Sequence, residues 1–437
     1  MQRQEDRARY RWIPVILLFV IGAVNILDRS TLAIGNSHIR ADLNLSAGEM
    51  GLLLSAFSWA YAFSQLPLGA LLDRTGARRV LGIGLFIWSI AQVFGGLSTS
   101  FRNFVVSRVL LGVAESPTYP AGAKVIAEYF PRQRRGKPTA VFLASTTLAP
   151  AITPPLLTWL MLAFGWRQMF VIMGVTGILV SLLWMLYCRS KAGIPPAQAA
   201  HDASLSDAEA ADEASSSKLS WADFRHLFAQ ATTWGMMIGF GGVIYLVWFY
   251  LTWLPGYLEH ERHLAIGTTG WVLSIPYVFA CFGGLLSGYV GDKLMQGGLT
   301  PVNSRKWMIA VALLVSAGFT FLAARAESAT LAVGYLCVVM FFLYVASSGA
   351  WTLVNVVVPK RMIASVGALQ NFGGYFGGSF APIVTGYTLQ YTNSLNNAFV
   401  VAALVGVLGA AAYVLLVRKQ ITGRETLDAP SGTSVMT

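Results

Sequence analysis

The stretch Asn25–Arg29, with the sequence NILDR, places an acid beside a base within an apolar run that extends from residue 13 to about residue 34. An unpaired charge at membrane depth costs several kcal/mol, and charges that persist there usually line a water-filled cavity or an ion pathway. We therefore predict that Asp28 and Arg29 are functional. The alternatives are a structural ion pair, or a span that begins only after Arg29.

The composition of the whole chain agrees with a membrane location. Only 12% of its 437 residues are charged and 55% are hydrophobic, with a mean hydropathy of +0.59, whereas soluble domains have about 25% charged residues. The net charge is +11, but Lys and Arg lie in short clusters between apolar spans, without the aromatic and basic surface of a nucleic-acid-binding module. The positive charge is therefore a topology signal, and no nucleic-acid partner is expected.

Apolar segments of about 20 residues, the length that crosses a bilayer, recur along the chain. We predict spans at 13–35, 49–72, 80–98, 104–127, 139–162, 168–188, 230–258, 269–291, 306–324, 330–357, 363–388 and 398–417. The first span follows a basic segment and has no cleavage site after it, so it is expected to remain. The pattern predicts an all-α membrane protein with twelve transmembrane helices.

The loops between these spans alternate in charge, and Lys and Arg collect on the cytoplasmic side of a membrane. One set of loops contains the N-terminal arginines and the clusters at 74–79, 132–137 and 360–361, whereas the opposite loops contain isolated basic residues. An even number of spans then places both termini in the cytoplasm. We expect the protein to lie in a bacterial inner membrane.

A polar segment rich in Ala, Ser, Asp and Glu separates two sets of six spans, and such a composition cannot bury a core. We predict an N-terminal six-helix bundle at 1–190, a cytoplasmic linker at 191–225, a C-terminal six-helix bundle at 226–420 and a cytoplasmic tail at 421–437. Pro131 and Pro154 recur with the same spacing as Pro359 and Pro382. Two related halves are typical of transporters that rock about a central site.

A turn after the second span has the pattern Gly69-x-x-x-Asp73-Arg74-x-Gly76-x-Arg78, and a weaker copy with Asp292 as its acid follows the eighth span. Charged groups in such loops can hold two halves together in one state and release them in another. We therefore predict that this loop gates the transport cycle. Retention of positive charge on the cytoplasmic side is the simpler alternative.

The loop resembles the signature loop of the major facilitator superfamily, and further motifs narrow the resemblance to its anion:cation symporter family. These motifs are Asn25-x-x-Asp28-Arg29, Tyr61-x-x-x-Gln65-x-Pro67, Arg108-x-x-x-Gly112-x-x-Glu115-x-Pro117, Tyr129-Phe130-Pro131, Gly165-Trp166-Arg167 and Trp253-Leu254-Pro255. Together they cover essentially the whole chain. The resemblance implies the major facilitator fold, in two pseudo-symmetric six-helix halves, and secondary transport of an organic acid such as a sugar acid or an aromatic acid.

The fourth span contains Arg108 and Glu115, which lie on one helix face about 10 Å apart along the axis. Burial disfavours the charged form of a carboxyl there, whereas a nearby guanidinium favours it. A carboxyl balanced between these effects can exchange protons, and a static pair with Arg108 is the alternative. The resemblance implies that Asp28 and Glu115 are the protonatable pair and that Arg29 binds the substrate carboxylate. Asp28, next to Arg29, is the expected competitor for the guanidinium.

Other polar residues of the spans are candidates for substrate binding. They are Tyr61, Gln65, Ser348, Trp351 and Asn371, with Thr146 and Tyr245 as weaker candidates. Tyr61 and Gln65 lie four residues apart and therefore share a helix face. The resemblance supports the three residues of the second half. Packing in a glycine-rich bundle is the alternative explanation for each of them.

Two positions depart from the sugar-acid carriers of this family. Many of those carriers have tyrosine two residues before the aspartate, where this chain has Ile26, and often a hydroxylated residue where it has Ala350. Our first choice of substrate is a sugar acid such as galactonate or glucarate. Because these hydroxyl groups are missing, an aromatic or short aliphatic carboxylate is the alternative substrate.

We predict that a monomer imports this anion with protons by alternating access. Coupling to sodium, or to no ion, stays open. A membrane-embedded enzyme or sensor is the alternative of a different class, but the sequence contains no HExxH motif, no Ser/His/Asp arrangement and no phosphate-binding loop. The three cysteines show no metal-ligand spacing, so no metal and no cofactor are expected.

Overall fold

The computed structural model describes residues 2–130, 134–188, 221–358 and 362–421. Every regular element within these ranges is a helix. The helices are α1 (Gln2–Ile34), α2 (Asn36–Asp42), α3 (Ala47–Thr75), α4 (Ala77–Gly96), α5 (Phe101–Glu115), α6 (Thr118–Tyr129), α7 (Gly136–Tyr187), α8 (Trp221–Ala229), α9 (Ala231–His260), α10 (Ile266–Gln296), α11 (Pro301–Ala324), α12 (Ala329–Val357), α13 (Ile363–Gly378), α14 (Phe380–Thr392) and α15 (Leu395–Leu416). Most of the predicted linker and nearly all of the predicted tail lie outside the described residues, so the domain boundaries stay predictions.

Twelve spans emerge once the breaks in these helices are considered. Eight of the described helices are long and apolar enough to cross a membrane, and one of them, α7, contains two spans joined at Gly165, where φ is +84°. The helices α5 and α6 form one span broken at Ser116, and α13 and α14 form another broken at Ser379. The remaining span is α3. Positive φ favours glycine because a Cβ atom is crowded in that region, which explains the residue at the joint in α7.

The twelve spans form two helical bundles. In the first, α1 and α4 pack on α7, and α3 packs on α5; in the second, α9 packs on α13 and α15, while α12 packs on α10 and α11. The bundles meet where α3 contacts α14, where α7 contacts α10, and where α1 contacts α9. The cavity described below lies between them.

Glycines allow the two bundles to approach closely. A Cβ atom built on Gly51 of α3 would lie 2.5 Å from the carbonyl oxygen of Pro382, and one on Gly270 of α10 would lie 2.7 Å from the Thr158 hydroxyl. Small residues at helix contacts are typical of membrane bundles, because packing rather than water exclusion holds the helices together. Larger side chains at these two positions would push the halves apart.

Two hydrogen bonds between the halves lie at one end of the bundle, which we call the α2 end because α2 lies there. The hydroxyl of Ser37 in α2 donates to the Glu259 carboxylate of α9 at 3.0 Å, and the backbone N–H of Gly48 donates to Gln390 Oε1 of α14 at 3.0 Å. The opposite end contains the turn at Gly76, where φ is +87°, and we call it the Gly76 end. These two hydrogen bonds join the halves at the α2 end.

Candidate functional site

A buried ion pair joins the first and fourth spans. Arg29 Nε of α1 donates to Glu115 Oε2 of α5 at 2.9 Å, and only 7% of the Arg29 side chain and 0% of the Glu115 side chain are exposed. Removal of one partner from such a pair leaves an uncompensated charge, which costs about 3–5 kcal/mol. Glu115 thus contacts Arg29 rather than Arg108, its expected neighbour on the same span.

Aromatic rings surround the Arg29 guanidinium. Its carbon lies 4.8 Å from the centre of the Tyr61 ring and 4.9 Å from that of Phe57. Tyr61 in turn stacks on Tyr375 of the second half, with ring centres 5.2 Å apart. Desolvated cation–π contacts stabilise a guanidinium by about 2 kcal/mol. The side chains around Arg29 therefore come from both halves, which lets a change at the guanidinium affect their contact.

The position of Glu115 follows from the break in its span. Glu115 is the last residue of α5, and Pro117 follows two residues later. A proline ring clashes with the carbonyl of the residue four positions earlier in a helix, so the helix cannot continue unchanged. The Thr118 hydroxyl donates to the carbonyl oxygen of Glu115 at 2.7 Å and satisfies it. The break thus holds the Glu115 side chain at the middle of the bundle, although its Oε1 has no hydrogen-bond partner among the described residues.

Asp28 lies one residue before Arg29 and therefore about 100° away around the helix axis. It is fully buried, and within the described part of the chain neither carboxylate oxygen has a hydrogen bond of good geometry, although the Trp88 indole N–H lies close enough to act on it. The charges of Glu115 and Arg108 both act on it. The structure thus gives the two neighbours in NILDR different surroundings: Arg29 is ion-paired, and Asp28 is a buried carboxyl whose oxygens have no hydrogen bond of good geometry among the described residues.

Arg108 forms its hydrogen bond inside the first half, and its charge also acts on Asp28 and Glu115. Its Nη2 donates to Gln92 Oε1 at 2.7 Å, and Gln92 Nε2 donates to the Thr31 hydroxyl at 2.9 Å. The guanidinium also lies 5.6 Å from the ring centre of Phe104 and 5.2 Å from that of Phe170. Gln92 was not among the predicted site residues, although an isolated amide in an apolar span indicates a buried hydrogen-bond partner. Gln92 connects α4 to both α1 and α5.

A cavity of about 260 Å³ lies between the halves. The first half contributes Ile26, Arg29, Tyr119 and Thr146 to its wall, so the weaker candidate Thr146 does line it. Polar residues of the second half that line it are Tyr277, Tyr344, Ser347 and Tyr375, and Trp248 adds an aromatic face. A concave site with few polar groups is typical of small-molecule binding. None of these tyrosines was selected from the sequence, because a tyrosine in a membrane span is often a packing residue.

The other predicted binding residues lie in different places. Asn371 Nδ2 donates to Gln65 Oε1 at 3.4 Å, which joins the two halves. Ser348 faces Gly284 of α10, whereas its neighbour Ser347 lines the cavity. The Trp351 ring packs edge-on against Phe240 and is 46% exposed. The binding roles of these residues stay predictions.

The predicted gating loop forms the turn between α3 and α4 at the Gly76 end. Arg78 Nη2 donates to the carbonyl oxygen of Met185 at 2.6 Å, and Asp292 pairs with Arg305 at 2.6 Å. Arg74 is exposed, and a Cβ atom on Gly69 would meet open space. The side chain of Asp73 lies outside the described residues. These contacts lie within each half, and the gating role of the loop stays a prediction.

Metal binding finds no support in the described part of the chain. Within residues 2–130, 134–188, 221–358 and 362–421, no group of three His, Cys, Asp or Glu side chains could hold a metal ion.

Comparison with known proteins identifies the family. Residues 18–382 match the family model described as Major Facilitator Superfamily. The chain is 41% identical over 421 residues to the probable L-galactonate transporter of Escherichia coli (strain K12), covering 96% of this chain and 92% of that protein. It is 31% identical over 422 residues to the probable galactarate/D-glucarate transporter GudP of Bacillus subtilis (strain 168), covering 93% and 92% of the two chains.

A solved structure agrees with the fold. The bacterial homologue of the human lysosomal transporter Spinster, in an inward-facing and unoccupied conformation, matches with a TM-score of 0.79 at 20% identity, covering 94% of this chain and 98% of that one. A likeness at this identity concerns the fold alone. The predicted fold, twelve helices in two halves, is thereby confirmed.

Proposed function

The chain belongs to the major facilitator superfamily and is a multi-pass membrane transporter rather than an enzyme, and on that premise we propose that it imports a sugar acid together with protons. The observation that carries this proposal is the Arg29–Glu115 pair at a cavity between the two halves. A guanidinium there can bind a substrate carboxylate, and the acid that holds it can take up a proton. The names of the two relatives support a sugar acid as the substrate.

The orientation of the protein follows from its charged loops. Since Lys and Arg collect on the cytoplasmic side, the Gly76 end faces the cytoplasm and the α2 end faces outward. Both termini then lie in the cytoplasm, and the bacterial relatives support an inner membrane. The contacts at the α2 end support a cavity that is closed toward the outside.

Glu115 and the substrate carboxylate compete for one guanidinium in this mechanism. A proton from the outside neutralises Glu115, which weakens its hold on Arg29 and lets the substrate carboxylate take its place. After the halves rock, loss of the proton to the cytoplasm restores the Glu115 anion, and the anion displaces the substrate. A ligand shifts a conformational equilibrium only through different affinities for the two states, and the exchange of partners at Arg29 supplies that difference.

Asp28 is a second proton site in this proposal. An anionic Asp28 is unfavourable inside the first half because it is fully buried and lies near the Glu115 charge, so a proton there stabilises the packed bundle. The charge of Arg108 opposes that effect. Asp28 therefore couples protonation to helix packing, whereas Glu115 couples it to substrate binding.

An aromatic carboxylate is the second candidate substrate. Trp248 and four tyrosines line the cavity, and aromatic pairs contribute about 0.5–1.5 kcal/mol beyond the area that they bury. Benzoate derivatives therefore belong in every uptake experiment beside the sugar acids.

Uptake by the purified full chain in proteoliposomes tests the proposal. We expect radiolabelled L-galactonate to accumulate when the external medium is more acidic than the interior, and a protonophore to abolish the accumulation. Replacement of sodium by choline should have no effect. Accumulation that follows a sodium gradient would overturn proton coupling, and accumulation of benzoate instead of sugar acids would favour the second candidate.

A further inference from the structure

The described wall of the cavity contains one charged residue, Arg29. We infer that the site takes a polyhydroxy acid with a single carboxylate, such as an aldonate, and discriminates against aldarates, which have a carboxylate at each end. This inference rests on the proposed function and narrows its substrate class. It follows from where the charges and hydroxyl groups of the cavity lie.

Arg29 supplies the positive charge in the described wall of the cavity. Tyr61, Tyr119 and Tyr375 lie close enough to interact electrostatically with its charge, and two of them, Tyr119 and Tyr375, line the cavity with it. The guanidinium already holds one carboxylate, that of Glu115, at 2.9 Å. A substrate carboxylate that replaces Glu115 therefore meets a site of suitable size and charge.

Hydroxyl groups also line the cavity beyond the tyrosines that interact with Arg29. Tyr277 and Tyr344 interact with each other there, on α10 and α12 of the second half, and Ser347 lies one turn of α12 beyond Tyr344. Hydroxyl groups both donate and accept hydrogen bonds, which suits the hydroxyl chain and terminal hydroxymethyl group of an aldonate. They partly compensate for Ile26, the position where the sequence suggested a lost hydroxyl partner.

A second carboxylate of the same substrate would find no second cation in the described wall of the cavity. Apolar and proline side chains complete the wall of the cavity, including Pro150, Leu251 and Met340. An anion removed from water needs a charged partner or several strong hydrogen bonds, and without them its burial is strongly unfavourable. The penalty is largest when the halves close over the substrate, because water then leaves the cavity.

The second deep arginine cannot provide the missing charge. Arg108 is 2% exposed and bonded to Gln92, with its guanidinium against Phe104 and Phe170. All of these contacts lie within the first half, and Arg108 does not line the cavity. A single cation in the described wall therefore favours a substrate with one carboxylate. Of the substrates named for the two relatives, L-galactonate has one carboxylate, whereas galactarate and glucarate have two.

Competition between galactonate and galactarate tests the inference directly. Galactarate is galactonate with a carboxylate in place of the terminal hydroxymethyl group, so the two probes differ at one end only. In proteoliposomes with an acidic exterior, we expect labelled L-galactonate to be taken up and unlabelled galactarate to compete at least about 100-fold more weakly than unlabelled L-galactonate. Equal or stronger competition by galactarate would overturn the inference and leave the proposed function intact. If neither acid is taken up, both fail.

Variants at Tyr344 and Ser347 provide an independent test. We expect Tyr344→Phe to weaken L-galactonate uptake about tenfold, with little change in Tyr335→Phe, a tyrosine of the same helix outside the cavity wall. Tyr344→Arg should raise galactarate competition relative to galactonate, and Ser347→Arg offers the same added charge if Tyr344→Arg does not fold. An unchanged ratio in a folded arginine variant would contradict the inference.

Discussion

Two buried arginines of the first half, Arg29 and Arg108, have opposite kinds of partners. Arg29 pairs with Glu115 beside the cavity that both halves share, whereas Arg108 bonds to the amide of Gln92 within one half. A carboxylate can change its charge by taking up a proton, and an amide cannot. The comparison suggests that the first pair exchanges partners during transport and that the second maintains a fixed arrangement. The predictions below test this difference.

Loss of Arg29 should have the largest effect. We expect Arg29→Ala to lower L-galactonate uptake by about 100-fold or more, since a buried charge pair is worth about 3–5 kcal/mol when one partner is removed. Arg29→Lys should restore only part of it, because an ammonium lacks the planar fork that binds a carboxylate bidentately. Initial rates of uptake and of exchange in proteoliposomes measure both. The exposed Arg325→Lys is the control, and near-normal transport by Arg29→Ala would exclude the guanidinium as the anion ligand.

The substitution Glu115→Gln should abolish coupling of uptake to the proton gradient but preserve exchange of substrate. The amide still accepts a hydrogen bond from Arg29 but cannot lose a proton, so uptake driven by a pH gradient should disappear. Exchange of labelled for unlabelled L-galactonate should continue within about tenfold of the unsubstituted protein.

The pH dependence of exchange tests the same role of Glu115, because the role predicts the direction in which substrate binding changes with pH. In the unsubstituted protein, a rise in pH ionises Glu115, strengthens its hold on Arg29 and should weaken substrate binding. The Glu115→Gln variant should lose this dependence. If it kept both gradient-driven uptake and the pH profile, Glu115 would not be the competitor.

The substitution Gln92→Leu removes the partner of Arg108 and should have a smaller effect, on stability rather than on proton coupling. Arg108 and Thr31 each lose a hydrogen bond, which we expect to lower stability by about 1–3 kcal/mol and to lower the thermal midpoint of the purified protein. Gradient-driven uptake and exchange should fall by the same factor, because Glu115 is untouched. Gln92→Glu restores a partner for Arg108 and is the matched variant. A loss of coupling with intact exchange would show that this network takes part in proton transfer.

The hydrogen bond between Gln65 and Asn371 should have the smallest effect. Its length of 3.4 Å makes it weak. A double-mutant cycle with Gln65→Ala and Asn371→Ala should give a coupling of less than about 1 kcal/mol on uptake. A coupling of several kcal/mol would instead identify this contact as a main connection between the halves.

Some features of the site were accessible from the sequence and others were not. Asp28, Arg29, Arg108 and Glu115 stand out because charges are rare in apolar spans, and the structure buries all four of them. Their pairing did not follow from the sequence: spacing favoured Glu115 as a neighbour of Arg108, whereas the structure pairs it with Arg29. A pairing across spans depends on how each helix is rotated, which the sequence of one helix does not contain.

Serine and tyrosine positions also show that the sequence of one helix does not determine which side chains face the cavity. Ser348 was the predicted candidate, but Ser347 lines the cavity, since one residue along a helix turns the side chain by about 100°. The four cavity tyrosines look like packing residues when each is considered within its own span. Only the meeting of the two halves brings their rings to one cavity.

Hydropathy and charge along the chain were sufficient for the twelve spans, the two halves and the deep charges, because the bilayer imposes its requirements on each helix separately. The tertiary structure decided which acid holds Arg29, which hydroxyl groups share a cavity with it, and that a single cation lies there. These properties depend on contacts between helices that are distant in sequence. NILDR was sufficient to indicate that two charges matter, but the packing of α1 against its neighbours assigned them different surroundings.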